Sequence, residues 1–221
     1  MKKTFGKVTG IVVLLGVLSM GCSMTTAQSM PHASPMAATS ATKAADLREG
    51  LNALFGEHAM LAAAATGAAL GGREAEFKAD AAALDANSVD IAKAIGSVYG
   101  AGAEQAFLPL WRRHIGFVVD YTVGLATGDR AKQDKGMSDL LGYTQDLAVF
   151  LSSANPNLPK AAVADLVKGH ILSLKEVIDA QAAKDPARAA TALRKAYSHM
   201  HMIADPLADA IVKQFGERFA G

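Results

Sequence analysis

Three equally spaced histidines are the residues of this chain with the clearest capacity for chemistry. His58, His114 and His170 are each 56 residues from the next, with no insertion or deletion between them. Each follows a leucine by four residues; these leucines are Leu54, Leu110 and Leu166. A fixed interval of this size is typical of a repeated supersecondary unit. The sequence therefore predicts three copies of one unit, each with an imidazole at the same place.

A second set of polar residues falls on the same 56-residue interval. Each histidine lies about 14 residues before a predicted turn, so in an antiparallel hairpin the facing residue lies 29 positions later: Asn87, Tyr143 and His199. Three or four neutral imidazoles at one level form a natural site for zinc or copper, and nickel is also possible. The predicted metal ligands are His58, His114, His170 and His199.

Further residues are predicted to support these ligands. Asp90 and Asp146 lie one helical turn after two of the facing residues, where a carboxylate can accept a hydrogen bond from a metal-bound imidazole. Met202 shares a helix face with His199, and a soft thioether beside imidazole favours copper. The predicted supporting residues are Asn87, Asp90, Tyr143, Asp146 and Met202. The alternative is a structural layer whose buried polar groups pair with one another and set the helix register.

Other chemistry finds little support. The chain has no His-x-x-x-His pair and no Glu-x-x-His motif, which disfavours di-iron sites of the ferritin type. No Ser–His–Asp set or glycine-rich phosphate loop stands out, so the sequence favours a binding protein over an enzyme. Trp111 is predicted to be partly covered, on an otherwise solvated helix face with Arg112 and Arg113. His201 and Asp205 are predicted to form an exposed pair four residues apart.

The segments around the histidines have the composition of helices. From residue 44 onward alanine and leucine are abundant, and apolar residues recur every three or four positions. The predicted helices cover residues 45–70, 74–99, 104–126, 132–152, 160–183 and 187–215, and glycine, asparagine or proline residues separate them. This predicts an all-α domain over residues 44–221, made of three antiparallel hairpins. A closed bundle is predicted, with an open row of stacked hairpins as the alternative.

The N-terminus has the features of an export signal. Residues 1–21 combine three lysines with a short apolar run, and the run leads to Cys22, the only cysteine. This resembles a bacterial lipoprotein signal, which predicts a lipid on Cys22 and attachment to a membrane; cleavage near Ala27 is the alternative. Residues 22–43 are rich in Ser, Thr, Ala, Met and Pro, which predicts a flexible tether. The protein is thus expected to be exported and to lie in the cell envelope or the periplasm.

Charge argues against a nucleic-acid partner. Of the 22 basic residues three lie in the predicted signal, which leaves 19 against 21 acidic residues and a net charge of −2. A domain with this balance lacks the basic footprint that nucleic-acid binding requires. The expected partner is therefore a membrane, reached through the lipid, and any protein partner stays open.

The folded part resembles a group of small exported bacterial helical proteins. The resemblance lies in residues spread over the whole domain: Leu54, His58, Asn87, Asp90, Ile91, His114, the segment 150–157 (FLSSANPN), His170, His199, Ala204, Asp205, Gln214 and Phe215. Tyr143 stands where this pattern has a second asparagine. The group has no established activity, so the resemblance implies export and an all-helical fold, and it implies no reaction.

Overall fold

The computed structural model of the protein describes residues 42–220, which contain seven α-helices and no strand. The helices are α1 (Lys43–Leu70), α2 (Glu74–Tyr99), α3 (Ala101–Thr127), α4 (Arg130–Ala154), α5 (Lys160–Ala182), α6 (Pro186–Gln214) and the short α7 (Gly216–Phe219). The all-α prediction is confirmed. The predicted signal, Cys22 and nearly all of the predicted tether lie outside the described residues.

The helix ends follow local side-chain chemistry. The carboxylate of Asp185 accepts a hydrogen bond from the backbone N–H of Arg188, and Pro186 occupies the first helical position of α6. Gly100 has a positive φ of 91°, which suits glycine, and α3 begins directly after it. Gly102, one of the glycines that were expected to separate the second and third predicted helices, lies inside α3. Gly100 alone makes the turn between α2 and α3.

The helices close into a bundle. Each of the first six helices packs against the next along the chain, and α6 packs back against α1. In addition α1, α3 and α5 contact one another across the middle. The predicted bundle is therefore present, with α1, α3 and α5 at its centre. The 56-residue repeat stays a prediction from the sequence, although the helices that carry its three histidines are the central ones.

Small side chains allow the central helices to approach closely. The buried face of α1 includes Ala59, Ala62, Ala63, Ala65 and Ala68. By length and composition α1 is apolar enough to cross a membrane, but half of its most apolar stretch is buried inside the bundle. Its central place in the fold accounts for this composition. Side chains that project from α1 thus reach both α3 and α5.

Candidate metal centre

Three imidazoles meet where the central helices meet. His58 comes from α1, His114 from α3 and His170 from α5, and their side chains are 1%, 3% and 5% exposed. One possible ligand nitrogen from each ring lies within 4.8 Å of the other two. Nε2 of His58 lies 3.4 Å from Nε2 of His114. The predicted convergence of these three histidines is confirmed.

The spacing of the rings suits a small transition-metal ion. Zinc binds imidazole nitrogen at about 2.0–2.1 Å, so two nitrogens on a tetrahedral ion are about 3.3 Å apart. The 3.4 Å between the Nε2 atoms of His58 and His114 matches this value. The His170 nitrogen lies within 4.8 Å of both, so a shift of about 1.5 Å or less completes the set. Three ligands leave a further coordination position for another molecule.

Burial keeps the three imidazoles uncharged. It lowers the pKa of His58 well below the 6.5 of a free imidazole, and the positive charges that His114 and His170 would carry lower it further. Burial and the neighbouring imidazoles likewise lower the pKa of His114 to about 3 and that of His170 to about 4. At neutral pH each ring therefore has one unprotonated nitrogen, and a neutral imidazole is the form that binds a metal.

The cluster leaves buried polar atoms without partners. The Nδ1 atoms of His58, His114 and His170 find no hydrogen-bond partner among residues 42–220. The hydroxyl of Tyr143 and the Oδ1 of Asn87 are also buried without a hydrogen-bond partner among these residues. An unpaired buried donor or acceptor costs about 1–3 kcal/mol, and native structures contain few of them. The Nε2 atoms of His58 and His114 are close enough, at 3.4 Å, to share one hydrogen bond, and the five atoms named above lie unpaired around it.

Two aromatic rings enclose the imidazoles. The ring centroid of Trp111 lies 4.9 Å from that of His58 and 4.6 Å from that of His114. Tyr143 stacks on His114 at 4.8 Å, with 26° between the ring planes. These contacts hold the imidazoles in place. Tyr143 thus lies against its histidine, as its position in the sequence predicted.

Trp111 was wrongly predicted to be only partly covered. It is 5% exposed, and its Nε1 has no hydrogen-bond partner among the described residues. The spacing already contained the signal, because residues three apart on a helix share a face and Trp111 precedes His114 by three. Arg112 and Arg113 are exposed, as predicted, and they form ion pairs with Asp85 and Asp146.

His199 and Asn87 lie beside the cluster rather than in it. The Nε2–H of His199 donates to the backbone carbonyl of Leu166, at 2.8 Å, so this imidazole is held one turn before His170. Asn87 makes the matching contact on the first hairpin, where its Nδ2 donates to the carbonyl of Leu54, at 3.0 Å. The predicted hairpin register therefore holds for both residues. His199, however, is not in the group of nitrogens that converges.

Three of the predicted supporting residues do not approach the imidazoles. Asp90 forms an ion pair with Lys93, and Asp146 forms one with Arg113. Both carboxylates are more than half exposed. Three residues rotate the helix by about 300°, so each aspartate lies about 60° to one side of its inward neighbour, toward solvent. Met202 is 56% exposed, whereas Met200 is 1% exposed. The inward face of α6 is centred on Met200, so the prediction for Met202 was wrong by half a turn.

The predicted pair of His201 and Asp205 is bridged by a third residue. The Nδ1–H of His201 donates to Oδ1 of Asn52, at 2.6 Å, and Nδ2 of Asn52 donates to Oδ1 of Asp205, at 2.8 Å. Asn52 belongs to α1, so this network ties α6 to α1 near the surface. It accounts for His201 without a metal.

Comparison of the chain with protein-family models, with curated proteins and with solved structures gives no match. The resemblance to small exported bacterial helical proteins therefore stays a prediction from the sequence. Function has to be argued from the three imidazoles and what surrounds them.

Proposed function

We propose that this protein binds one transition-metal ion, zinc or copper, through His58, His114 and His170. The observation that carries the proposal is the meeting of three neutral, fully buried imidazoles from three central helices. A bound ion would take a lone pair from each ring at once.

The ligand chemistry narrows the choice of metal. Neutral imidazole suits zinc, copper and nickel, whereas calcium and magnesium require oxygen ligands. The group contains no carboxylate and no thiolate, so hard cations and iron–sulfur clusters find no suitable ligands there. Zinc fits the spacing of the two Nε2 atoms, and copper binds more tightly than zinc to most nitrogen sites. These two ions are therefore the candidates to test first.

We further propose that the protein is exported and held at a membrane by a lipid on Cys22. The support is the sequence of residues 1–22, in which lysines and an apolar run precede the single cysteine. The tether of residues 22–43 would then separate the bundle from the membrane surface. Such a placement would expose the bundle to the metal ions of the cell envelope.

Replacement of Cys22 by serine tests the anchor. In a bacterial host, wild-type protein is expected in the membrane fraction, with a mature N-terminus at Cys22 that carries acyl chains detectable by mass spectrometry. The Cys22→Ser variant is expected to lose the acyl mass and to leave the membrane fraction. Cleavage of the wild-type protein near Ala27 with no acyl mass would rule out the lipid.

Replacement of one ligand tests the metal site. Tag-free protein is expected to bind one zinc or copper ion per chain, and His114→Leu is expected to weaken binding on the order of 100- to 1,000-fold. The estimate follows because structural zinc sites bind with about 10–16 kcal/mol, shared among their ligands. Competition with a chelator of known affinity measures the change. Since Trp111 is the only tryptophan and touches two of the rings, its fluorescence should also be quenched by Cu²⁺.

His201→Leu is the matched control. This histidine is half-buried on α6 and bonds Asn52, away from the cluster, so its loss should leave the affinity unchanged. Equal weakening by both variants would show that the ion binds elsewhere. Protein that stays metal-free, with no change in melting temperature when zinc or copper is added, would refute the metal site.

A further inference from the structure

A large apolar cavity opens beside the three imidazoles. It has a volume of about 510 Å³ and lies between α1, α2 and α3, with His58 and His114 in its wall. Val119 and Val123, which also line it, are each 40% exposed, so the cavity reaches the surface. Its size lies within the range of about 300–1,000 Å³ found for small-molecule sites. A molecule that enters here can extend from solvent to the histidines.

The hydroxyl groups in the wall are already occupied. Thr66 donates to the carbonyl of Ala62, at 2.9 Å, and Thr122 donates to that of Val118, at 2.8 Å. Most other lining residues are alanine, valine, leucine, isoleucine or phenylalanine. The Nδ1 atoms of His58 and His114 are the buried polar atoms of this wall that lack a partner among the described residues. The cavity therefore offers apolar contact along its length, and the rings of His58 and His114, whose Nδ1 atoms are enclosed, form part of its wall.

Charge indicates what the polar end of a ligand should carry. A divalent ion held by three neutral imidazoles keeps its charge in a buried site, where an uncompensated charge is costly. Asp85 is the single acid in the cavity wall, and both of its carboxylate oxygens bind Arg112, at 2.6 and 2.7 Å. The compensating anion is thus not supplied by this wall.

We infer that the cavity binds a small apolar molecule with one anionic head, such as a carboxylate or thiolate, and that this head takes the open position on the metal. The inference rests on the proposed metal site. The apolar body would lie against the alanine and branched aliphatic side chains of α1, α2 and α3. The anionic head would balance the charge of the ion, which the wall leaves unbalanced.

Cobalt-loaded full-length protein, titrated with octanoate and with acetate, tests this inference. Both probes carry the same head, and only octanoate has a body that fills the cavity. Each buried methylene contributes roughly a fourfold gain in binding, so burial of three or four of the six additional methylenes of octanoate is expected to shift the visible cobalt spectrum at concentrations at least about 100-fold lower than acetate. Equal affinities for the two probes would overturn the inference.

Cavity-filling variants locate the binding site. Ala81 lines the cavity and Ala82, beside it on α2, is exposed and does not. Ala81→Phe is expected to reduce the advantage of octanoate at least tenfold, whereas Ala82→Phe should keep it. Val119→Phe, from the α3 wall, is a second filling variant should Ala81→Phe fail to fold. Octanoate binding that survives cavity filling would overturn the inference.

Cobalt stoichiometry separates the two proposals. If wild-type protein binds no cobalt, zinc or copper, the metal site is refuted and this inference falls with it. If the metal binds but octanoate and acetate behave alike, only the cavity inference falls. Each filling variant should still bind one cobalt, because neither replaces a histidine of the cluster.

Discussion

Between pH 7.5 and pH 5 the metal-free protein is expected to lose about 6 kcal/mol of its free energy of unfolding through three histidines alone. His58, His114 and His170 have folded-state pKa values well below the 6.5 of a free imidazole. In the unfolded chain each would have an ordinary pKa. As the pH falls, the unfolded state therefore binds three protons at these histidines, whereas the folded state stays unprotonated there.

The sign of the effect follows from these directions. Above about pH 6.5 the histidines are neutral in both states, so they add no pH dependence. Below it each contributes about 1.4 kcal/mol of lost stability per pH unit, which amounts to about 2 kcal/mol per histidine at pH 5. The loss continues until the folded state itself binds protons, at about pH 4 for His170 and about pH 3 for His114.

Urea denaturation in the presence of EDTA, at a series of pH values, measures this loss. Carboxylates also titrate toward the lower end of the range, so the comparison needs a variant without the cluster. We define the triple-leucine variant as His58→Leu, His114→Leu and His170→Leu combined. Between pH 7.5 and pH 5 this variant should lose about 6 kcal/mol less of its free energy of unfolding than the wild-type protein loses. Parallel pH profiles would mean that the imidazoles are not buried and neutral.

Regular spacing made the cluster predictable. Three histidines at one interval, each four residues after a leucine, had to occupy equivalent places on their helices if the intervening turns were equivalent. The glycines and prolines of the turns set the hairpins, and most helix ends fell close to the predicted positions. That α1, α3 and α5 contact one another at the centre depends on packing of whole helices. The pattern of residues within one helix does not show which other helices it contacts. The sequence therefore predicted a closed bundle and left an open row of hairpins as the alternative.

His199 was wrongly predicted to be a fourth ligand because alanine gives a weak signal of burial. The inward face of α6 runs through Ala192, Ala196, Met200 and Ala204. Because alanine occurs on several sides of this helix, the sequence did not distinguish this face from one centred on His199 and Met202. The position of His199 is set by its contact with α5. A Cβ at Gly169 would lie 2.5 Å from Cε1 of His199, so the ring packs there only because residue 169 is a glycine. Such a fit between two helices cannot be read from either one alone.

Removal of the cluster is expected to stabilise the metal-free protein. At pH 7.5 the triple-leucine variant should be more stable than the wild-type protein by roughly 1.5 kcal/mol or somewhat more, because three unpaired atoms at about 2 kcal/mol each outweigh at most about 4.5 kcal/mol of repacking. Each unpaired buried polar atom costs about 1–3 kcal/mol, and leucine fills a similar volume without polar atoms. Repacking offsets less than about 1.5 kcal/mol at each site. Urea denaturation with EDTA, at pH 7.5, measures the difference.

With zinc bound, the wild-type protein should be more stable than the triple-leucine variant. At a free concentration 1,000 times its dissociation constant, a ligand that binds only the folded state adds about 4 kcal/mol to the free energy of unfolding. The wild-type protein is expected to gain this amount, and the triple-leucine variant to gain none. A structural polar layer predicts the opposite pattern, since its loss would lower stability and zinc would affect neither protein. Three imidazoles that weaken the fold when empty and strengthen it when a metal is present are placed for binding.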